Sequence, residues 1–265
     1  MPGLQLSTLD TVALAIFAVA WLAYEPLVKA ALGRRHMINL DMAVIRGAWM
    51  GNMARRESRL MDSQLLGHTI NSASFFASSN LILIAGASGV LFGGESAFRS
   101  ASSLLVIETS TRLLFEVQVA LVLITLARGL LDFIWAIRQL NYTIAVIGAA
   151  PEEAVGLAGP YGSAAGRLLN PALSAFNAGV RGYYFALAAA SWIFGSTAFI
   201  IATLSAVALL IWRQRSSAAA RAIADIRTLI DGAGTPAGPG RACERQVRRP
   251  QLSSAKDPAP GVGRG

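Results

Sequence analysis

The chain has 265 residues, 54% of them hydrophobic and only 14% charged, with a mean hydropathy of +0.51. That balance excludes an ordinary water-soluble domain and leaves an all-α, multi-pass integral membrane protein as the class. The net charge of +8 would suit nucleic acid, but the basic residues flank apolar runs or lie in the tail, so they read as topology determinants and no nucleic-acid partner is expected.

The first predicted span covers about 9–32. No basic residue precedes its apolar run, so it lacks the charged start of a signal peptide and is expected to stay in the mature protein. Glu25, Pro26 and Lys29 interrupt it late, and Pro26, having no N–H to return to Leu22, should bend the helix there. From Gly33 to Asn71 the chain is basic, with Arg34, Arg35, Arg46, Arg55, Arg56 and Arg59 against Asp41, Glu57 and Asp62, which makes this loop cytoplasmic by the positive-inside rule and the N-terminus external. Within it Ile38, Met42, Ile45, Trp49, Met53 and Leu60 share one helical stripe, predicting an amphipathic helix over about 38–66. Two readings stand: a helix lying in the lipid interface with Trp49 as anchor and arginines toward anionic headgroups, or a helix packed on its own protein or a sister subunit.

The second predicted span, 73–93, carries Ala73, Ala77, Leu81, Ala85, Gly89 and Gly93 in four-residue steps, and its small residues Ala73, Ala77, Ala85, Gly89 and Gly93 make a face suited to close helix packing and to a homo-oligomer. Ser74, Ser78, Ser79 and Asn80 make one half of it polar, for a wet cavity or for bonds to neighbouring helices. Residues 94–112 hold few basic groups, as an external loop would. The third span, 113–138, contains Glu116, Gln118, Arg128 and Asp132 and must face protein or water with them; nothing breaks its helix before Gly148 and Pro151. Residues 148–166 read as a loop, with one turn of helix at Pro151, Glu152 and Glu153, and no apolar run adequate for a crossing is seen between Asn141 and Tyr184. The fourth span, 185–212, has Tyr183, Tyr184 and Trp212 near its ends, as interface anchors would be.

The membrane domain is thus expected over 1–231, with four transmembrane helices and the cytoplasmic amphipathic helix between the first and second. Residues 232–265 form a Gly/Pro/Arg-rich tail expected to be disordered. Four crossings would leave this basic tail outside, in conflict with its charge; the first loop, short and strongly basic, is the stronger determinant.

No phosphate-binding loop, HExxH or CxxC occurs, and the single Cys243, with His36 and His68, makes no ligand cluster. No catalytic set, cofactor or metal is implied, and an enzyme is not expected.

Arg46 with Trp49-Met50, Arg55-Arg56-Glu57, Arg59, Asp62, Gln64-Leu65 and Asn71 to Ser78 form one block, and Phe176-Asn177, Gly179, Arg181 and Tyr183 to Ala186 a second. Together they resemble the bacterial and plant multi-pass membrane family known as domain of unknown function 599. The resemblance implies a membrane location and no established activity. The chain departs from that family's pattern after Trp212, where Arg213-Gln214-Arg215-Ser216 replaces a more acidic, aromatic continuation.

Counting down the first and third spans from the same side sets Glu25 and Arg128 at one depth, about 23 Å from the outer entry, with Lys29 and Asp132 one turn further. The second span brings Ser78, Ser79 and Asn80 to a similar level. Glu25, Lys29, Ser78, Asn80, Arg128 and Asp132 are therefore the candidate inner polar cluster, read either as a closed ion-pair network or as a cytoplasmic vestibule for an ion or small anionic solute. The function expected is that of a small channel or transporter in the bacterial inner membrane. The alternative is a non-catalytic scaffold that recruits partners through its basic helix.

Overall fold

A computed structural model describes residues 6–32, 38–103, 111–151 and 157–234. The side chain of Lys29, the turn expected at Glu152 and Glu153, His36, Cys243 and the tail beyond 234 lie outside the described residues.

All described secondary structure is helical: α1 (Thr8–Leu22), α2 (Tyr24–Leu32), α3 (Ile38–Met53), α4 (Leu60–Phe92), α5 (Gly94–Ser102), α6 (Arg112–Gly148), α7 (Ala158–Ala190), a 3-10 turn (Ser191–Phe194), α8 (Ser196–Arg215) and α9 (Ala218–Gly234). Three stretches are long and apolar enough to cross a membrane, Leu60–Phe92, Arg112–Gly148 and Ser196–Gly232, and Thr8–Leu22 is a shorter apolar helix. Their length and apolarity are those of a membrane protein's helices.

Local chemistry sets the boundaries. Ser7 caps α1, its Oγ accepting from the Asp10 amide at 3.0 Å while Asp10 accepts the Ser7 amide at 3.1 Å. The first span bends at Ala23, and Pro26 then sits in the first turn of α2, where a missing N–H leaves no helical bond unmade. The helix expected over 38–66 is instead two helices, because the charged corner Ala54 to Arg59 turns the chain. Arg56 pairs with Asp62 and Arg59 donates to the carbonyls of Ala150 and Pro151 at 2.7 and 2.9 Å. His68, expected in a loop, therefore lies on α4. Helix α6 runs unbroken to Gly148, as the absence of breakers predicts.

The largest departure is α7. Residues 158–166, read from sequence as loop, are helical, and α7 runs antiparallel beside α6. At one end the Tyr161 hydroxyl donates to the Val146 carbonyl at 2.6 Å; at the other Gln118 donates to the Trp192 carbonyl at 3.1 Å. Glycines allow the approach. A Cβ on Gly182 would meet Gly129 Cα at 3.3 Å, and one on Gly162 would lie 2.6 Å from Gly51 Cα of α3. Nor is the expected span 185–212 continuous: it breaks at Gly195, whose φ of 105° reverses the chain from α7 into α8.

Two apolar cores result. One, at the Trp192 end, packs Phe17, Phe185, Trp192 and Phe199 from α1, α7, the 3-10 turn and α8. The other, at the Met53 end, packs Met50, Met53, Leu66, Leu140, Ile147 and Leu169 from α3, α4, α6 and α7. Between them Phe76, Phe133, Phe176 and Tyr183 form an aromatic cluster with ring centroids 5.8 to 6.1 Å apart.

Candidate functional site

Helices α1/α2 and α6 flank α7 and leave a crevice of about 340 Å³ over it, lined by Trp21, Leu22, Tyr24, Glu25, Pro26, Arg128, Asp132, Ala178, Arg181, Gly182 and Phe185. Four charged side chains converge there. Glu25, in the first turn of α2, accepts from Arg181 of α7 at 2.7 Å, and the Arg181 guanidinium lies 5.2 Å over the Tyr24 ring. On the opposite wall Arg128 and Asp132, one turn apart on α6, are 3.4 Å apart. The two pairs differ in commitment: the Arg181 side chain is 13% exposed, that of Arg128 60%. Arg181 is locked by ring and carboxylate, whereas Arg128 has donors free to meet a solute.

Tyr24, Glu25 and Arg181 also line a second, smaller cavity of about 150 Å³, shared with Val28, Asn39, Leu40, Ala43, Ser174 and Gln214. The Glu25–Arg181 pair thus stands between two polar spaces. In the smaller one the Tyr24 hydroxyl and Gln214 Oε1 are buried without a protein partner, which is the usual mark of a site completed by water or a ligand.

Of the six residues expected in an inner polar cluster, Glu25, Arg128 and Asp132 line this crevice. Asn80 is elsewhere, buried between α4 and α6 with its amide donating to the Leu126 carbonyl at 3.0 Å, and Ser78 is exposed on α4. Lys29 follows Glu25 by one turn of α2, its side chain undescribed. The residue missed by sequence reasoning is Arg181. It belongs to the second block of family-like residues, but a span beginning at Phe185 placed it outside the membrane helices.

The proposed packing face divides. Ala73 and Ala77 are buried, whereas Ala85, Gly89 and Gly93 are exposed. Among the expected anchors, Trp49 donates its indole N–H to Asp62 at 2.6 Å and Tyr183 its hydroxyl to the Phe76 carbonyl at 2.7 Å, so both are bonded inside the protein. Tyr184 accepts from Arg213 at 2.6 Å, and Trp212 is 57% exposed at the end of α8.

The family described as "Protein of unknown function, DUF599" matches residues 12–219. The chain belongs to the DUF599 family. Every residue of the crevice falls within the DUF599 match, which runs from α1 through α8 and stops at the start of α9. No curated protein and no solved structure matches the chain.

Proposed function

We propose that this DUF599 protein resides in the bacterial inner membrane and binds a small anionic solute or ion in the crevice, on its way across the bilayer. Support comes first from the path of the chain. Helix α7 lies alongside α6, so five helices, α1, α4, α6, α7 and α8, alternate in direction, and the basic segment between α2 and α4 emerges on the same side as the basic C-terminal segment. Five crossings remove the charge conflict that four create, with both basic segments cytoplasmic and α5 outside.

The observation that carries the functional reading is the convergence of Glu25, Arg128, Asp132 and Arg181 in one crevice beside the middle of the long apolar helix α6. Charges at such a position are costly and commonly mark solute or ion paths. Arg128 acts as the attracting cation, Asp132 accepts from its Nε and leaves the two terminal nitrogens to the solute, and the Glu25–Arg181 pair separates the crevice from the second cavity. The scaffold reading has less to rest on, because Arg56, Arg59 and Trp49 are engaged inside the protein. Association of copies through the exposed Ala85, Gly89 and Gly93 face remains part of the proposal, checked by cross-linking at Gly89→Cys.

The test is flux into proteoliposomes of chloride, nitrate, phosphate and small carboxylates. Arg128→Ala should cost little stability, its side chain being largely exposed, and should reduce uptake of the transported anion at least tenfold. Wild-type protein that moves none of these anions, or flux unaltered by Arg128→Ala, overturns the reading.

A further inference from the structure

A third cavity lies apart from the crevice and from the smaller cavity beside it, and shares no lining residue with either. It has a volume of about 460 Å³ and is bounded by Arg46 of α3, by His68, Thr69, Ser72 and Phe76 of α4, and by Leu173, Phe176 and Asn177 of α7. Arg46 is the unusual member. Arg59 of this basic segment also has a buried, unpartnered Nε but donates through its other two nitrogens to two carbonyls, whereas the Nε of Arg46 is buried with no partner and no described carboxylate or carbonyl receives its guanidinium. Burial alone acts on its guanidinium, pulling it below its ordinary value with no described carboxylate opposing. An unneutralised guanidinium in such a place is stable only when an anion or water supplies acceptors.

The neighbours suit an oxyanion. Arginine presents a planar fork of donors that matches phosphate oxygens. Asn177 spends one amide hydrogen on Asn39 Oδ1 at 3.2 Å and keeps the other; His68 is exposed at the rim. The hydroxyls of Thr69 and Ser72 donate to the carbonyls of Leu65 and His68 and leave room rather than charge. Phe76, Phe176 and Leu173 make the remaining wall apolar. That polarity gradient, guanidinium at one side and aromatic rings at the other, fits a group that joins a phosphate to an apolar stem.

From this cavity we infer that Arg46, with Asn177 and His68, binds a phosphate group, either the headgroup phosphodiester of an anionic phospholipid or free phosphate. Full-length protein is purified in a mild detergent and its thermal melting followed while inorganic phosphate, or short-chain phosphatidylglycerol, is added against matched chloride and short-chain phosphatidylcholine controls. A rise in Tm with phosphatidylglycerol alone, abolished in Arg46→Gln, supports the site and assigns a lipid source. A rise with inorganic phosphate that Arg46→Gln also abolishes supports the site with free phosphate as its ligand. Should Arg46→Gln fail to fold, Ser72→Leu fills the cavity from the exposed face of α4 without touching the arginine, and must abolish the same rise. No rise with either ligand, or a rise unchanged in these variants, overturns the inference.

Discussion

Arg181 of α7 and Glu25 of α2, 156 residues apart in sequence, meet at 2.7 Å over the Tyr24 ring. The bond joins two helices at the point where α1 ends its descent. Glu25 is about half-exposed, so a carboxylate stranded by Arg181→Ala is partly hydrated and the loss is expected at about 1–2 kcal/mol rather than the larger figure for a sealed pair. A double-mutant cycle with Glu25→Ala, read by melting in detergent, should show coupling; strict additivity would deny the pair an energetic role.

Gly179 and Gly162 should tolerate no side chain. A Cβ at Gly179 would sit 2.7 Å from the fully buried Phe133 ring, and at Gly162 it would press on the backbone of Met50 and Gly51 at 2.6 to 2.9 Å. Overpacking of this kind costs about 1–3 kcal/mol, with Gly162→Ala the worse because backbone, not a rotatable ring, must yield. Gly89→Ala meets nothing within 4 Å and should leave the melting temperature of the isolated chain unchanged or slightly raised. Equal effects at all three positions would contradict the helix packing described.

Asp62 is fully buried and accepts from both Trp49 and Arg56. Asp62→Ala should destabilise by about 2–4 kcal/mol, since the indole N–H loses its acceptor inside the protein. Asp62→Asn keeps one acceptor oxygen and should lose roughly half as much. Chemical unfolding followed by tryptophan fluorescence distinguishes them, and identical losses would show that charge alone matters there.

If the chain crosses five times, as proposed, Cys243 is expected on the inner side of the membrane. A membrane-impermeant maleimide should label it only after permeabilisation, whereas Ser100→Cys on α5, in a Cys243→Ser background, should label in intact cells. Labelling of Cys243 from outside restores the four-crossing topology.

Particular residues show what was legible in the sequence. The full reach of α6 was, because its 37 residues contain no breaker; counting along the helices also set Glu25 and Arg128 side by side, and both line one crevice. The DUF599 membership was carried by the Arg46 and Phe176 blocks. Helix α7 was not, because small residues, among them Gly162, Ala165, Gly166, Ala172, Gly179 and Gly182, outnumber Leu169 and Phe185 on its buried side, and the value of small residues is close approach and not hydropathy. Losing α7 meant losing Arg181 and with it the fourth charge of the crevice. Trp49 shows a different limit: periodicity marks an apolar stripe but does not say whether lipid or Asp62 receives it.

The make-up of α7 bears on how the chain enters the bilayer. Arg167, Asn170, Pro171, Asn177 and Arg181 all lie within it, and an arginine at the centre of a membrane helix costs about 2.5–3.5 kcal/mol even on the mildest insertion scale. If α7 is the additional crossing proposed, it is not expected to enter the bilayer by partitioning alone. It can be drawn in only when α6 is already there to meet its glycine face and when Glu25 is in place to receive Arg181. On the proposed five-crossing path, biogenesis is expected to depend on synthesis order: the first helix and α6 come before α7, as they do in the chain, and a circular permutant that delivers α7 first should be degraded instead of integrated.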